Sequence, residues 1–84
     1  MNKVIKEEKH IDFEQTYIMY FSKMKYFARE YVLSDEDAEN IVQDVFLELW
    51  EKKEILALPV NIIAYLFTAI KNRCIDLLRH RIVA

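Results

Sequence analysis

Glu7 and His10 stand at the Glu-x-x-His spacing used by carboxylate-bridged di-iron bundles, where a helical i, i+3 pair turns both side chains toward one metal. Such a centre needs a second pair and two further carboxylates. The chain offers one pair, in a charged N-terminal stretch, residues 1 to 11, expected to be flexible. No metal site is read from it. His80 lies between Arg79 and Arg81, where neighbouring cations make a poor metal ligand and a plausible phosphate contact, with plain exposure as the competing reading. Cys74 falls on an apolar stripe with no histidine placed to deprotonate it, so it reads as a small core residue rather than a nucleophile. Trp50 and the tyrosines could stack on bases, but Phe13, Phe27 and Phe46 at helical spacing read as core. Asp44, Glu48 and Glu51 form a carboxylate row one turn apart, and Lys71, Arg73, Arg79 and Arg81 form a basic cluster. No catalytic set emerges, so the chain is not read as an enzyme and no cofactor is expected.

These side chains need elements to hold them, and composition limits the choice. The chain has 84 residues, enough for one small domain, and 54% of them are hydrophobic, enough for a modest core. It has no glycine and a single proline, Pro59, which excludes Gly-rich phosphate loops and Asn-Gly hairpins. An all-α domain is expected. From Phe13, the residues Tyr17, Tyr20, Phe21, Met24, Phe27, Ala28 and Tyr31 recur at three- and four-residue steps and predict one helix face. Ser34 with Asp37 reads as an N-cap with a capping-box-like acid. A second helix follows, with a core face of Ala38, Ile41, Val42, Val45 and Leu49, ending near Lys52 or Lys53. Pro59 suits the first turn of a third helix, whose stripe runs Ile63, Leu66, Ile70, Leu77 and Leu78 with Phe67 and Cys74 alongside.

The net charge of -2 conceals an ordering along the chain. Residues 34 to 54 carry a net -6, residues 55 to 70 carry no charged group, and residues 71 to 84 carry +3. Opposite fields on one small domain could attract two different partners. Acids in a first turn and bases in a last turn also satisfy helix macrodipoles, which explains part of the ordering locally. A single cysteine and an N-terminus without an apolar signal stretch point to the cytoplasm. The weakly polar run from Ile55 to Ile70 is broken by Pro59 and Asn61 and falls short of the roughly 20 residues that cross a bilayer. No membrane contact is expected.

The string SDEDAENIVQDVFLELWEKK, followed after a short gap by NIIAYLFTAIKNRCIDLLRHR, resembles region two of bacterial sigma factors of the extracytoplasmic-function type. The preceding FEQTYIMYFSKMKYFAREYV is similar to that family's first helix. The resemblance runs from about Phe13 to Arg81, and its specificity comes from three blocks in order. It implies an all-α bundle of three main helices that binds core RNA polymerase and helps recognise and open the minus-ten promoter element. Relatives carry a second helical domain reading the minus-thirty-five element, so a piece of a longer protein is expected. An anti-sigma partner is also implied.

By that resemblance, Asn40, Gln43, Asp44 and Leu47 dock the second helix on the beta-prime coiled coil. Carboxylates and amides there pair directionally with arginines of a partner. Asn40 stands where the family commonly has aspartate, and Asp44 where it commonly has the longer glutamate. The resemblance further places Asn72 at a pocket for a base extruded from the non-template strand, since an amide offers both donor and acceptor. It gives Lys71, Arg73, Arg79 and Arg81 phosphate contacts, while Thr68 stands where relatives often carry a cation. Residues Glu54 to Val60 correspond to the base-capture loop. The competing reading is a protein-protein module that uses the acidic helix without touching DNA. A duplex-reading helix-turn-helix is disfavoured because the third helix is too apolar to lie open in a major groove. With so much apolar sequence in so short a chain, the isolated domain is expected to self-associate or expose an apolar patch.

Overall fold

A computed structural model describes residues 12–83, which form three α-helices and one short 3-10 helix, with no strand among the described residues. The N-terminal stretch with its Glu7 and His10 lies outside the described residues. Helix α1 spans Phe13–Ala28, α2 Asp35–Glu51 and α3 Ile62–Val83, with the 3-10 helix Lys53–Ala57 between the last two. The all-α expectation holds.

Each helix starts where a short polar side chain takes up an orphaned backbone N–H. The Asp12 carboxylate accepts from Gln15 N at 2.9 Å, Ser34 Oγ from Asp37 N at 2.9 Å, and Asn61 Oδ1 from Ala64 N at 3.1 Å. Ser34 is the cap expected, but only half of a capping box forms there. The Asp37 carboxylate, one methylene shorter than glutamate, turns to Arg81 instead, at 2.8 Å. The third start is later than expected. Pro59 sits two residues ahead of Asn61, in a three-residue turn closed by Val60 N donating to Leu58 O at 2.7 Å, rather than in the helix's first turn. Helix α1 stops earlier than its apolar spacing suggested. Tyr31 lies beyond it, where the Tyr31 and Val32 N–H groups both return to Ala28 O, and Arg29 staples the turn by donating to Asp35 Oδ1 at 2.7 Å and Val32 O at 3.1 Å.

The three helices close on one core. Helix α2 supplies Ala38, Ile41, Val42, Val45, Phe46 and Leu49; α1 supplies Met24 and Ala28, with Val32 just after it; α3 supplies Leu66, Ile70 and Cys74. Each fully buried aliphatic or aromatic side chain contributes about 1.5–3 kcal/mol relative to exposure, so this interlocked set dominates the stability. The second helix's core face is as expected, and Phe46, also read as core, is buried with it. Phe13, Tyr17 and Phe21 surround the Phe46 ring at centroid distances of 5.2–6.3 Å, and Phe27 meets Phe67 edge-on at 4.6 Å. In α3 the stripe begins at Ile62, not Ile63: Ile62 packs against the core, while Ile63, about 100° further round the helix, remains 38% exposed. Thr16 is the buried polar side chain among the described residues, satisfied by donating from Oγ1 to Asp12 O at 2.9 Å. Among the described residues no helix is long and apolar enough to cross a membrane.

Candidate functional site

Helices α2 and α3 run antiparallel, since Arg81 near the end of α3 meets Asp37 at the start of α2, and Arg73 meets Asp44 and Glu48 further along. Between them lies an open cleft of about 1070 Å³. Its α2 wall carries Asp37, Asn40, Asp44 and Glu48, spaced so that successive members lie three or four residues apart on one face. Its α3 wall carries Thr68, Asn72, Arg73 and Asp76. The charge blocks of the sequence therefore face each other across one groove.

Arg73 is the hinge of this arrangement. Its Nη2 donates to Glu48 Oε1 at 2.9 Å and its Nη1 lies 3.8 Å from Asp44 Oδ2. Glu48 is held from its other side by Lys52, whose Nζ donates to Oε2 at 3.2 Å. The Arg73 hydrogen bond, and then that of Lys52, hold the Glu48 carboxyl below the usual carboxylate range, against a smaller opposing effect of burial. The second pair, Arg81 Nη1 with Asp37 Oδ2, raises the guanidinium's affinity for its proton, the hydrogen bond outweighing simple proximity of charge.

The residues assigned to polymerase docking and those assigned to DNA do not occupy separate faces. Asn40 and Asp44 share the cleft with Asn72 and Arg73, whereas Gln43 and Leu47 are exposed on α2 outside its lining. Leu47 is 57% exposed, a large apolar side chain left in water. Lys71 and Arg79 are exposed, also outside the cleft lining, and make no ion pair among the described residues. The segment Glu54–Val60 is largely exposed, anchored by half-buried Ile55 and Leu56, with Leu56 packed on the core. Trp50 is half exposed, its ring 5.1 Å from Phe13 on one side and under the Lys53 ammonium at 4.3 Å.

Cys74 is fully buried with Sγ 4.0 Å from Ala28 O, and burial pushes its thiol up, so it packs and does not react. His80 is exposed. No group of three histidine, cysteine, aspartate or glutamate side chains among the described residues could hold a metal. Asp37 and Glu48 are the cleft residues that sequence reasoning left as a cap acid and a wet-face acid. The signal was present: Asp37 and Asp44 are seven residues apart and Arg73 and Arg81 eight, about two turns on each of two helices, which places acid opposite base once the helices are antiparallel.

The family model for sigma-70 region 2 matches residues 16–81, which take in most of α1, all of α2, the connection and nearly all of α3. Searches of the curated proteins and of the solved structures found no match. With three capped helices in the expected order and a match over most of its length, the chain belongs to the sigma-70 region 2 family, whose members serve transcription initiation by binding RNA polymerase and melting promoter DNA.

Proposed function

We propose that this domain is region two of a sigma factor of the extracytoplasmic-function type, acting without catalysis of its own in the cytoplasm, where polymerase and chromosome meet. It docks on the beta-prime coiled coil through Asn40, Gln43, Asp44 and Leu47 and holds the opened minus-ten non-template strand along α3. Asn72 receives an extruded base, and Lys71, Arg73, Arg79 and Arg81 meet phosphates. An anti-sigma factor would regulate it by covering one of these surfaces. The observation that carries this reading is the exposure of all four docking residues on one side of α2, within the stretch that matches the family. Positions separated by three, four and seven residues share a helix face, so a rod-like partner could touch all four at once.

A second reading, a protein-binding module without DNA contact, draws support from the pairing of Arg73 and Arg81 with acids of α2. Two measurements on the same preparation separate the readings. The chain should co-purify with core polymerase under both, but only a DNA-contacting domain should retard a labelled single-stranded minus-ten oligonucleotide at low salt. Failure to capture core polymerase would remove both readings.

A further inference from the structure

We propose that the ion pairs across the cleft are an autoinhibitory contact: Glu48 withholds Arg73, and Asp37 withholds Arg81, from nucleic-acid phosphate. This rests on the proposed DNA contact of α3 and goes beyond it by naming the acids that oppose it. Each guanidinium already has one of its five N–H donors committed to a carboxylate, at 2.9 Å for Arg73 and 2.8 Å for Arg81, and its charge is partly offset there. A phosphate approaching either guanidinium therefore meets a carboxylate of its own sign and competes with it for the cation. Lys71 and Arg79 carry no such partner among the described residues, so there the four C-terminal cations divide into two that are paired with acids and two that are not.

The two pairs differ in strength. Arg73 faces two carboxylates, and its principal partner, Glu48, is itself fixed by Lys52 on its other oxygen. Arg81 faces Asp37 alone, with 56% of its side chain exposed. Partly exposed pairs of this type are worth at most about 1 kcal/mol, roughly fivefold in an equilibrium. Such a contact tunes affinity and does not abolish it. Salt dependence reports the number of phosphates neutralised, at a slope of about 0.7 per contact for single strands, so the withheld cations should be missing from the slope as well as from the affinity.

The test is fluorescence anisotropy of the 84-residue chain with a labelled single-stranded oligodeoxynucleotide of mixed sequence, titrated at several salt concentrations. Glu48→Gln should bind about two- to fivefold tighter than wild type at low salt, with a slope steeper by about 0.7. The double variant E48Q/R73A should lose that gain, which shows that the released group is Arg73 and not Lys52. Glu51→Gln removes the same charge from a residue that makes no ion pair among the described residues, and it should stay near wild type. Asp37→Asn should reproduce the gain through Arg81, an independent reading should Glu48→Gln melt early by circular dichroism. If wild type binds and neither Glu48→Gln nor Asp37→Asn binds tighter, or if the gain survives in E48Q/R73A, the autoinhibitory contact is wrong while the DNA reading stands. If no variant binds at any salt concentration, the DNA reading fails and takes this inference with it.

Discussion

At the scale of single residues, Asp44 does two things at once: it presents a largely exposed carboxylate for a cationic partner and lies within 3.8 Å of Arg73. Asp44→Arg should abolish capture by core polymerase, because like charges facing each other across an interface cost several kcal/mol. The same substitution at an exposed site should shift stability by about 0.5 kcal/mol, and somewhat more here because it crowds Arg73. Co-purification and a thermal melt on one sample check both halves. Asn72→Ala should lower preference for one minus-ten base, whereas Arg79→Ala should weaken all sequences alike, since phosphate contacts carry no base identity. Anisotropy with oligonucleotides permuted at each position distinguishes the two patterns. Glu48 provides a pH signature. Its acid is stronger folded than unfolded, so its contribution is complete above the ordinary carboxylate range and is lost as pH falls through its depressed value. The stability gap between wild type and Glu48→Gln in urea should therefore close as the buffer is taken from neutral into that acidic range, and a constant gap would exclude the ion pair as its source. Of the residues singled out in the sequence, Asn40, Asp44, Asn72 and Arg73 do line one cleft. The pairing across it was not legible there, because an ion pair between Arg73 and Glu48 spans two helices whose facing depends on core packing rather than on either segment alone.

Among the elements, caps account for which boundaries could be read in advance. Ser34 stands directly before a run of acids and apolar residues at helical spacing, and it is the cap. Asn61 was hidden behind Pro59, the stronger local signal, although an amide two residues past a proline can cap as well as any serine. Ser34→Ala and Asn61→Ala should each destabilise the domain by about 1 kcal/mol, with Asn61→Gly milder by most of that amount. Wild-type stability of Asn61→Ala in chemical denaturation would show that the Asn61 to Ala64 hydrogen bond is not what holds the start of α3. The early end of α1 has a different cause. Its apolar spacing continues through Tyr31, so periodicity alone could not reveal that Arg29 and the Ala28 carbonyl fold the chain into a turn toward Asp35. Spacing identifies which face is buried; local polar chemistry decides where the helix stops.

For the molecule as a whole, the unsatisfied quantity is apolar surface. Ile18, Met19 and Tyr26 on α1 are 73%, 57% and 79% exposed, and Leu47 and Trp50 on α2 are 57% and 48% exposed. Met19 and Tyr26 are seven residues apart and share a face, with Ile18 beside them, so α1 presents an apolar strip interrupted by one polar turn, Ser22 and Lys23. Exposed strips of this kind mark contact surfaces, and the isolated domain should self-associate at high concentration. Charge decides which strip is used. Leu47 sits within the segment of net -6, so two copies meeting there would oppose like charges, whereas the mixed charges along α1 offer no such barrier. Association through α1 should therefore depend weakly on salt; association through α2 would strengthen steeply as salt screens the repulsion over a Debye length of about 10 Å at 0.1 M. Ile18→Glu should yield a monomer by light scattering, while Leu47→Glu should leave the association in place. The opposite pattern, with association rising with salt and lost in Leu47→Glu, would assign self-contact to the side of α2 proposed for polymerase docking and make it a competitor of that docking rather than a separate property.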